Sequence, residues 1–212
     1  MTLIAEDLLL LLLDDRTGKP ATSSLEVALG GALLAELALG EAIELADKTS
    51  VWRSANVRRG AGPAPEDPVL ASALAKVAEK ERSAQDLATL LGKGLTTALA
   101  GRLAERGILE RRDGKVLGLF PQTRWPAHDS SHEQSVRRVL TVVLVDGGRP
   151  DARTAALVAL LHAVDRAHKA VPHDGVGSRQ VRKRAKQVAE GEWAAKAVKD
   201  AIAAAAASSS GG

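Results

Sequence analysis

From Leu3 to Leu13 the chain is apolar at nearly every position, broken only by Glu6 and Asp7. A segment apolar on all sides predicts a helix buried all round rather than one laid on a surface. Asp14, Asp15, Thr17, Gly18 and Pro20 then form a turn. Ser24 caps a second helix running to Leu39, with Gly40 placed for a left-handed end. Gly30 and Gly31 fall inside it, where they permit close packing. Ala42-Ile43-Glu44-Leu45 alternates as a short strand does, and the Gly- and Pro-rich stretch 60–68 is a loop.

Asp67-Pro68 opens the next helix, whose Leu70, Leu74 and Val77 keep helical spacing as far as Glu81. Ser83 and Asp86 make a capping pair ahead of Leu87, Leu90 and Leu91. Leu95, Leu99 and Leu103 mark a further helix that stops at Gly107. Asp113-Gly114 stands between two β-capable runs, Ile108 to Arg112 and Lys115 to Phe120, and reads as a hairpin turn. Pro121 and Pro126 end that unit. Ser130 and Glu133 read as a capping box for a helix through Val145. Pro150-Asp151 opens another, from Ala152 to about Ala170. The last helix or helix pair spans Ser178 to Ala207, followed by the low-complexity tail 208–212. The expected fold is mostly α: a single globular domain over 1–207, with about eight helices and one β-hairpin.

Composition narrows the function classes. The 212 residues contain no Cys, which removes disulfides, Cys-ligated metals and thiol nucleophiles. With one Phe, three Trp and no Tyr there is little aromatic surface for stacking bases or sugars. The longest apolar run, Leu8 to Leu13, falls far short of the ~20 residues of a membrane span. Glu6 and Asp7 stand where a signal peptide would carry positive charge, so a cytoplasmic location is expected. The net charge of +3 hides an acidic N-terminal stretch, with nine acids against two bases over 1–47, and a basic remainder. Such a body favours an anionic partner on one face.

Arg179, Arg182, Lys183 and Lys186 fall at i, i+3, i+4 and i+7, on one side of a helix, with Val181, Ala185 and Val188 opposite. Such a stripe is commonly a solvated face, and it also suits phosphates of lipid or nucleic acid. Arg53, Arg58 and Arg59 beside Trp52 carry the same two readings. The order helix, helix, ribbon over 83–120 resembles a winged-helix DNA reader, but its second helix offers only Lys93 and Arg102 for bases. His128-Asp129, His132-Glu133, and His162 with Asp165 and His168 lack a nucleophile or a third ligand, and structural roles are expected for them. No acid/base pair assembles and no phosphate-cradling loop is present, so no enzyme, metal site or cofactor is expected.

The opening Met1-Thr2-Leu3-Ile4-Ala5-Glu6-Asp7-Leu8-Leu9-Leu10-Leu11, with Asp14-Asp15-Arg16-Thr17-Gly18 after it, resembles that of the Golgi phosphoprotein 3 family. Leu33-Leu34-Ala35-Glu36-Leu37-Ala38-Leu39 is similar to that family's second helix. Leu103-Ala104-Glu105-Arg106-Gly107-Ile108-Leu109, the hairpin and Pro126 resemble its middle, and Ala155 to Asp165 its penultimate core helix. The Ala-, Arg- and Gly-rich, Tyr-free composition resembles bacterial members.

The resemblance implies a non-enzymatic, peripheral membrane adaptor that binds phosphatidylinositol 4-phosphate, here at the inner face of a cytoplasmic membrane. It places the family's lipid-binding Trp on Ala21, its first Arg on Gly30, and its two helix-borne Arg on Lys93 and Thr96. A headgroup phosphate wants several charge-assisted contacts, so weaker, generic binding of anionic phospholipid headgroups is expected. Lys93, Thr96, Arg124 and Trp125 are the candidate lipid or anion residues, with Thr22-Ser23-Ser24 as further donors. The stripe Arg179, Arg182, Lys183 and Lys186 adds charge. The hairpin residues Val116, Leu117, Leu119 and Phe120 are the candidates for homo-oligomerisation. Nucleic acid is not expected as a partner. A DNA-binding regulator using 83–120 and a protein-binding scaffold joined through the hairpin are the alternatives.

Overall fold

A computed structural model describes residues 2–46, 56–116 and 120–190. Its elements are α1 (Ile4–Leu12), α2 (Leu25–Leu39), β1 (Ile43–Leu45), β2 (Asn56–Arg59), α3 (Pro68–Glu79), β3 (Arg82–Ser83), α4 (Ala84–Gly92) and α5 (Leu95–Glu105). There follow β4 (Arg112–Val116), β5 (Phe120–Arg124), α6 (Ser131–Leu144), α7 (Ala152–Ala163), a 3-10 turn (Ala167–Lys169) and α8 (Ser178–Ala189). The fold is mostly α in a single domain, as expected.

The continuous apolar run explains the centre. Every residue of α1 is buried, and α2, α5, α6 and α7 pack around it. The core is built from Leu, Ala and Val side chains, with Trp125 the aromatic member among the described residues. Small residues let helix backbones come close: Gly30 of α2 sits against Ala88 and Gly92 of α4. Several start signals act as read. Asp67 accepts from Val69 N–H at 2.8 Å, Ser83 Oγ accepts from Asp86 N–H at 3.1 Å, and Asp151 accepts from Thr154 N–H at 2.7 Å.

The β structure departs from the expectation. β2, not read from the sequence, joins β1 and β3 in an antiparallel sheet of order β1-β2-β3. Asp113-Gly114 is not a turn: both residues lie inside β4, opposite Thr123 and Gln122. The reason lies at the base of the ribbon. Leu109 is buried and bridges Ala127, while Glu110 N–H donates to Pro126 O at 2.9 Å. That anchor sets the register in which Arg112 opposes Arg124, so the strands connect through 117–119. Burial of Leu109 outweighs the local turn preference of Asp-Gly. Of the hairpin candidates, Val116 pairs with Phe120, and Leu117 and Leu119 lie outside the described residues.

Several helix ends also differ. Gly40 has a φ of −85°, and the left-handed residue is Glu41 at +56°. Ser130 makes no capping bond; Asp129 accepts from Ser131 N–H instead, and Glu133 turns to Arg137. α7 stops at Ala163 rather than near Ala170, where Asp165 takes a φ of +52°. α8 is described as far as Ala189, and the expected continuation to Ala207 lies outside the described residues.

Candidate functional site

The turn after α1 is held from within and from outside. Asp14 accepts from both the N–H and the hydroxyl of Thr17. Gly18, at a φ of +62°, lies so close to the Trp125 backbone that a Cβ would overlap it. The turn delivers Ala21, Thr22 and Ser23 to the start of α2. There they form one wall of a polar cleft of ≈ 480 Å³, with Glu26, Thr96 of α5 and Arg166 of the α7–α8 connection.

The lining of the cleft carries one cation, one acid and two polar atoms left without partners. The Thr96 hydroxyl oxygen and Arg166 Nε are buried and have no hydrogen-bond partner. Arg166 is aimed by its Nη2, which donates to the Ala21 carbonyl. The first turns of α2 and α5 adjoin the cleft, and neither helix has a side-chain cap: Ser24 makes no capping bond, and Gly94 has no side chain to make one. Uncapped first turns present unsatisfied N–H groups and the positive end of the helix dipole. The acid on the wall, Glu26, accepts from Gly94 N–H at 3.0 Å.

Of the four lipid candidates, Thr96 lies in this cleft, as do Ala21, Thr22 and Ser23. Lys93 is exposed and lines a separate groove on the far side of the first turn of α5. Arg124 donates to Gln122 Oε1 at 2.6 Å, and Trp125 is 7% exposed, part of the core. Gly30 is enclosed between α2 and α4 and is not in the lining of this cleft. Arg166 was missed, because a lone Arg in a connection carries no periodic or motif signal; only the fold brings it to Ala21, 145 positions away.

The basic stripe is solvent-facing as read: Arg179, Arg182, Lys183 and Lys186 are exposed, and Val181 and Ala185 are buried. Arg182 is held by Asp165 at 3.0 Å and donates to His168 Nε2 at 3.0 Å. Arg184, off the stripe, donates to the carbonyls of Leu144 and Val145 and so closes α6. His168 is buried, and its Nδ1 has no hydrogen-bond partner, Asp165 Oδ1 being 3.9 Å away. Burial first, then Arg182, with smaller contributions from Lys169 and Arg166 against the opposing Asp165, push its pKa below the ordinary histidine value.

A depressed folded-state pKa means that the unfolded chain takes up the proton first. The contribution of His168 is therefore complete above pH ~6.5 and is lost progressively as the pH falls from there toward the folded-state value. His168→Gln keeps an acceptor for Arg182 but cannot titrate. Urea midpoints between pH 5 and 7.5 should fall more steeply for the wild type than for this variant; parallel profiles would show that His168 does not contribute.

Other charged side chains are held in pairs around the core. His132 Nε2 lies 2.7 Å from the buried Asp7, Arg106 binds the fully buried Glu6, and Glu133 pairs with Arg137. Arg102, offered above as a base reader, holds Asp67 in a two-pronged pair at 3.0 and 2.7 Å and lies 3.4 Å from Glu6. It is not free to enter a groove of DNA. No group of three His, Asp or Glu among the described residues could hold a metal ion. No helix among them is long and apolar enough to cross a membrane.

A family model described as Golgi phosphoprotein 3 (GPP34) matches residues 4–205. No curated protein matches the chain.

Proposed function

The chain belongs to the Golgi phosphoprotein 3 family, and on that premise we propose that it binds the phosphate of anionic phospholipid headgroups as a peripheral membrane protein. Family membership supports a non-enzymatic adaptor in general terms. The observation that carries the finer reading is the pair of buried, unpartnered groups, Thr96 Oγ1 and Arg166 Nε, in one polar cleft. A buried donor without a partner is costly, and a phosphate oxygen would satisfy both groups while completing the uncapped start of α2.

By the resemblance, Ala21 stands where the family's lipid site has a Trp, and Gly30, Lys93 and Thr96 stand where it has Arg; here Arg166 supplies a cation from another direction. With one guanidinium in place of several, the cleft distinguishes phosphorylated from neutral headgroups better than one phosphoinositide from another. Arg179, Lys183 and Lys186 add long-range attraction to an anionic surface. Lys93 and Arg124 lie outside the cleft and contribute in the same general way. The hairpin, with Val116, Leu117, Leu119 and Phe120, serves self-association at the membrane, as the resemblance implies.

Vesicle co-sedimentation tests this reading. Wild type should bind phosphatidylcholine vesicles doped with phosphatidylserine or phosphatidylinositol 4-phosphate at matched charge, and release as salt rises. Arg166→Ala removes a charge-assisted contact worth about 1.5–3 kcal/mol, so its affinity should fall roughly 10- to 100-fold. Binding that is indifferent to Arg166→Ala and to salt sinks the proposal. Indifference to the variant alone leaves only the surface stripe as the binding element and removes the cleft.

A further inference from the structure

The first turn of α5 divides two concavities. Thr96 faces the anion cleft; Leu95 and Ala98 face a groove of ≈ 290 Å³ between α3, α4 and α5. We propose that this groove binds a single-chain anionic amphiphile of the fatty-acid class, tail in the groove and carboxylate at its mouth. The inference does not depend on the cleft, because it uses none of the cleft's residues.

The floor is core: Leu33 of α2, Ala73 of α3, Leu91 of α4 and Leu95 are all buried side chains that also line the groove. Such a wall offers an alkyl chain apolar surface to cover. The rim has one sign of charge. Lys76 on α3 and Lys93 at the end of α4 line the same groove, both are exposed, and neither ammonium is paired with a carboxylate among the described residues. No acid is among the residues that line the groove; of those nearby, Asp67 is held by Arg102 and Glu26 accepts from Gly94 N–H. Gly94, at a φ of +70°, leaves the lip open: nothing lies within 4 Å of where its Cβ would be. An apolar floor with two unpaired ammonium groups and no acid in its lining selects a ligand that is apolar along its length and anionic at one end.

Titration calorimetry with dodecanoate, below its micelle concentration, tests the proposal on the full chain. Wild type should bind one dodecanoate saturably, and dodecyltrimethylammonium, with the same tail and opposite charge, should not bind. Ala98 is exposed, so Ala98→Trp fills the groove from its solvent side without entering the core, and should abolish binding. Lys76→Glu with Lys93→Glu, which leaves the groove's shape intact, should weaken it at least tenfold. Arg166→Ala, which disables the cleft, should leave it unchanged, so that the two proposals fail separately. Absence of saturable binding, equal uptake of the cationic analogue, or binding that survives Ala98→Trp overturns the inference. Loss of dodecanoate binding in Arg166→Ala together with its retention in Ala98→Trp overturns it too, and assigns the amphiphile to the cleft.

Discussion

Arg153→Met is expected to cost about 3–5 kcal/mol of stability at neutral pH, the range for removing one member of a buried ionic cluster. Arg153 joins α7 to the two innermost helices: Nη2 donates to Asp7 Oδ2 at 2.9 Å, Nη1 to Glu36 Oε1 at 2.8 Å, and Nη2 also to the Thr2 carbonyl. Met retains the apolar stem and removes the charge, so the loss reports on the ions rather than on packing. Asp7 would keep His132 as a partner, and Glu36 would keep only the Ile4 N–H at 2.7 Å.

Burial already raises the Glu36 pKa above the ordinary glutamate value, and the Ile4 N–H and Arg153 pull against that rise. Without Arg153 the folded state binds the Glu36 proton at higher pH than the unfolded chain does. Acid then favours the folded variant, and its deficit should shrink as the pH is lowered from 7 toward 5. Urea unfolding of both proteins at the two pH values checks this. A deficit below about 1 kcal/mol at pH 7, the scale of an exposed pair, would show that the cluster is not acting as a buried one. A deficit unchanged with pH would remove Glu36 from the account.

Gly30→Ala is the second large effect. On helix propensity alone the substitution should stabilise by up to about 1 kcal/mol. The new Cβ would instead overlap the Ala88 carbonyl and lie 2.8 Å from Gly92 N, both backbone atoms of the facing helix. Backbone cannot turn aside as a side chain can, so α2 and α4 must separate, at a loss of about 3 kcal/mol, the upper part of the usual overpacking range. Gly101 is the internal control. It lies mid-helix in α5 with nothing within 4 Å of its Cβ position, so Gly101→Ala should raise stability by about 0.5–1 kcal/mol. Melting temperatures that move in opposite directions for the two variants support the close crossing. Two increases would contradict it.

Much of the fold was legible because it depends on neighbours in sequence. The burial of α1 follows from a run with no polar face. The starts of α3, α4 and α7 follow from Asp67, Ser83 and Asp151, each within three residues of the N–H it accepts from. The exposed and buried sides of α8 follow from spacing alone. Family membership was legible too, since ordered local stretches survive as strings. Local signals misled where a distant contact overruled them. Asp113-Gly114 reads as a turn until buried Leu109 meets Ala127, and Ser130 with Glu133 reads as a capping box until Glu133 finds Arg137.

What the sequence by itself determined is therefore the helical, aromatic-poor architecture and its family, since periodicity and capping act over a few residues. The tertiary structure alone decided where the charges go. It sent Lys93 to one side of α5 and Thr96 to the other, gave Glu6 its Arg106 across 100 positions, and brought Arg166 against Ala21. A charge is stabilised by whatever opposite charge or dipole lies within a few ångströms, and in a packed helical domain that neighbour is set by how the helices cross, on which no short stretch of the chain carries information.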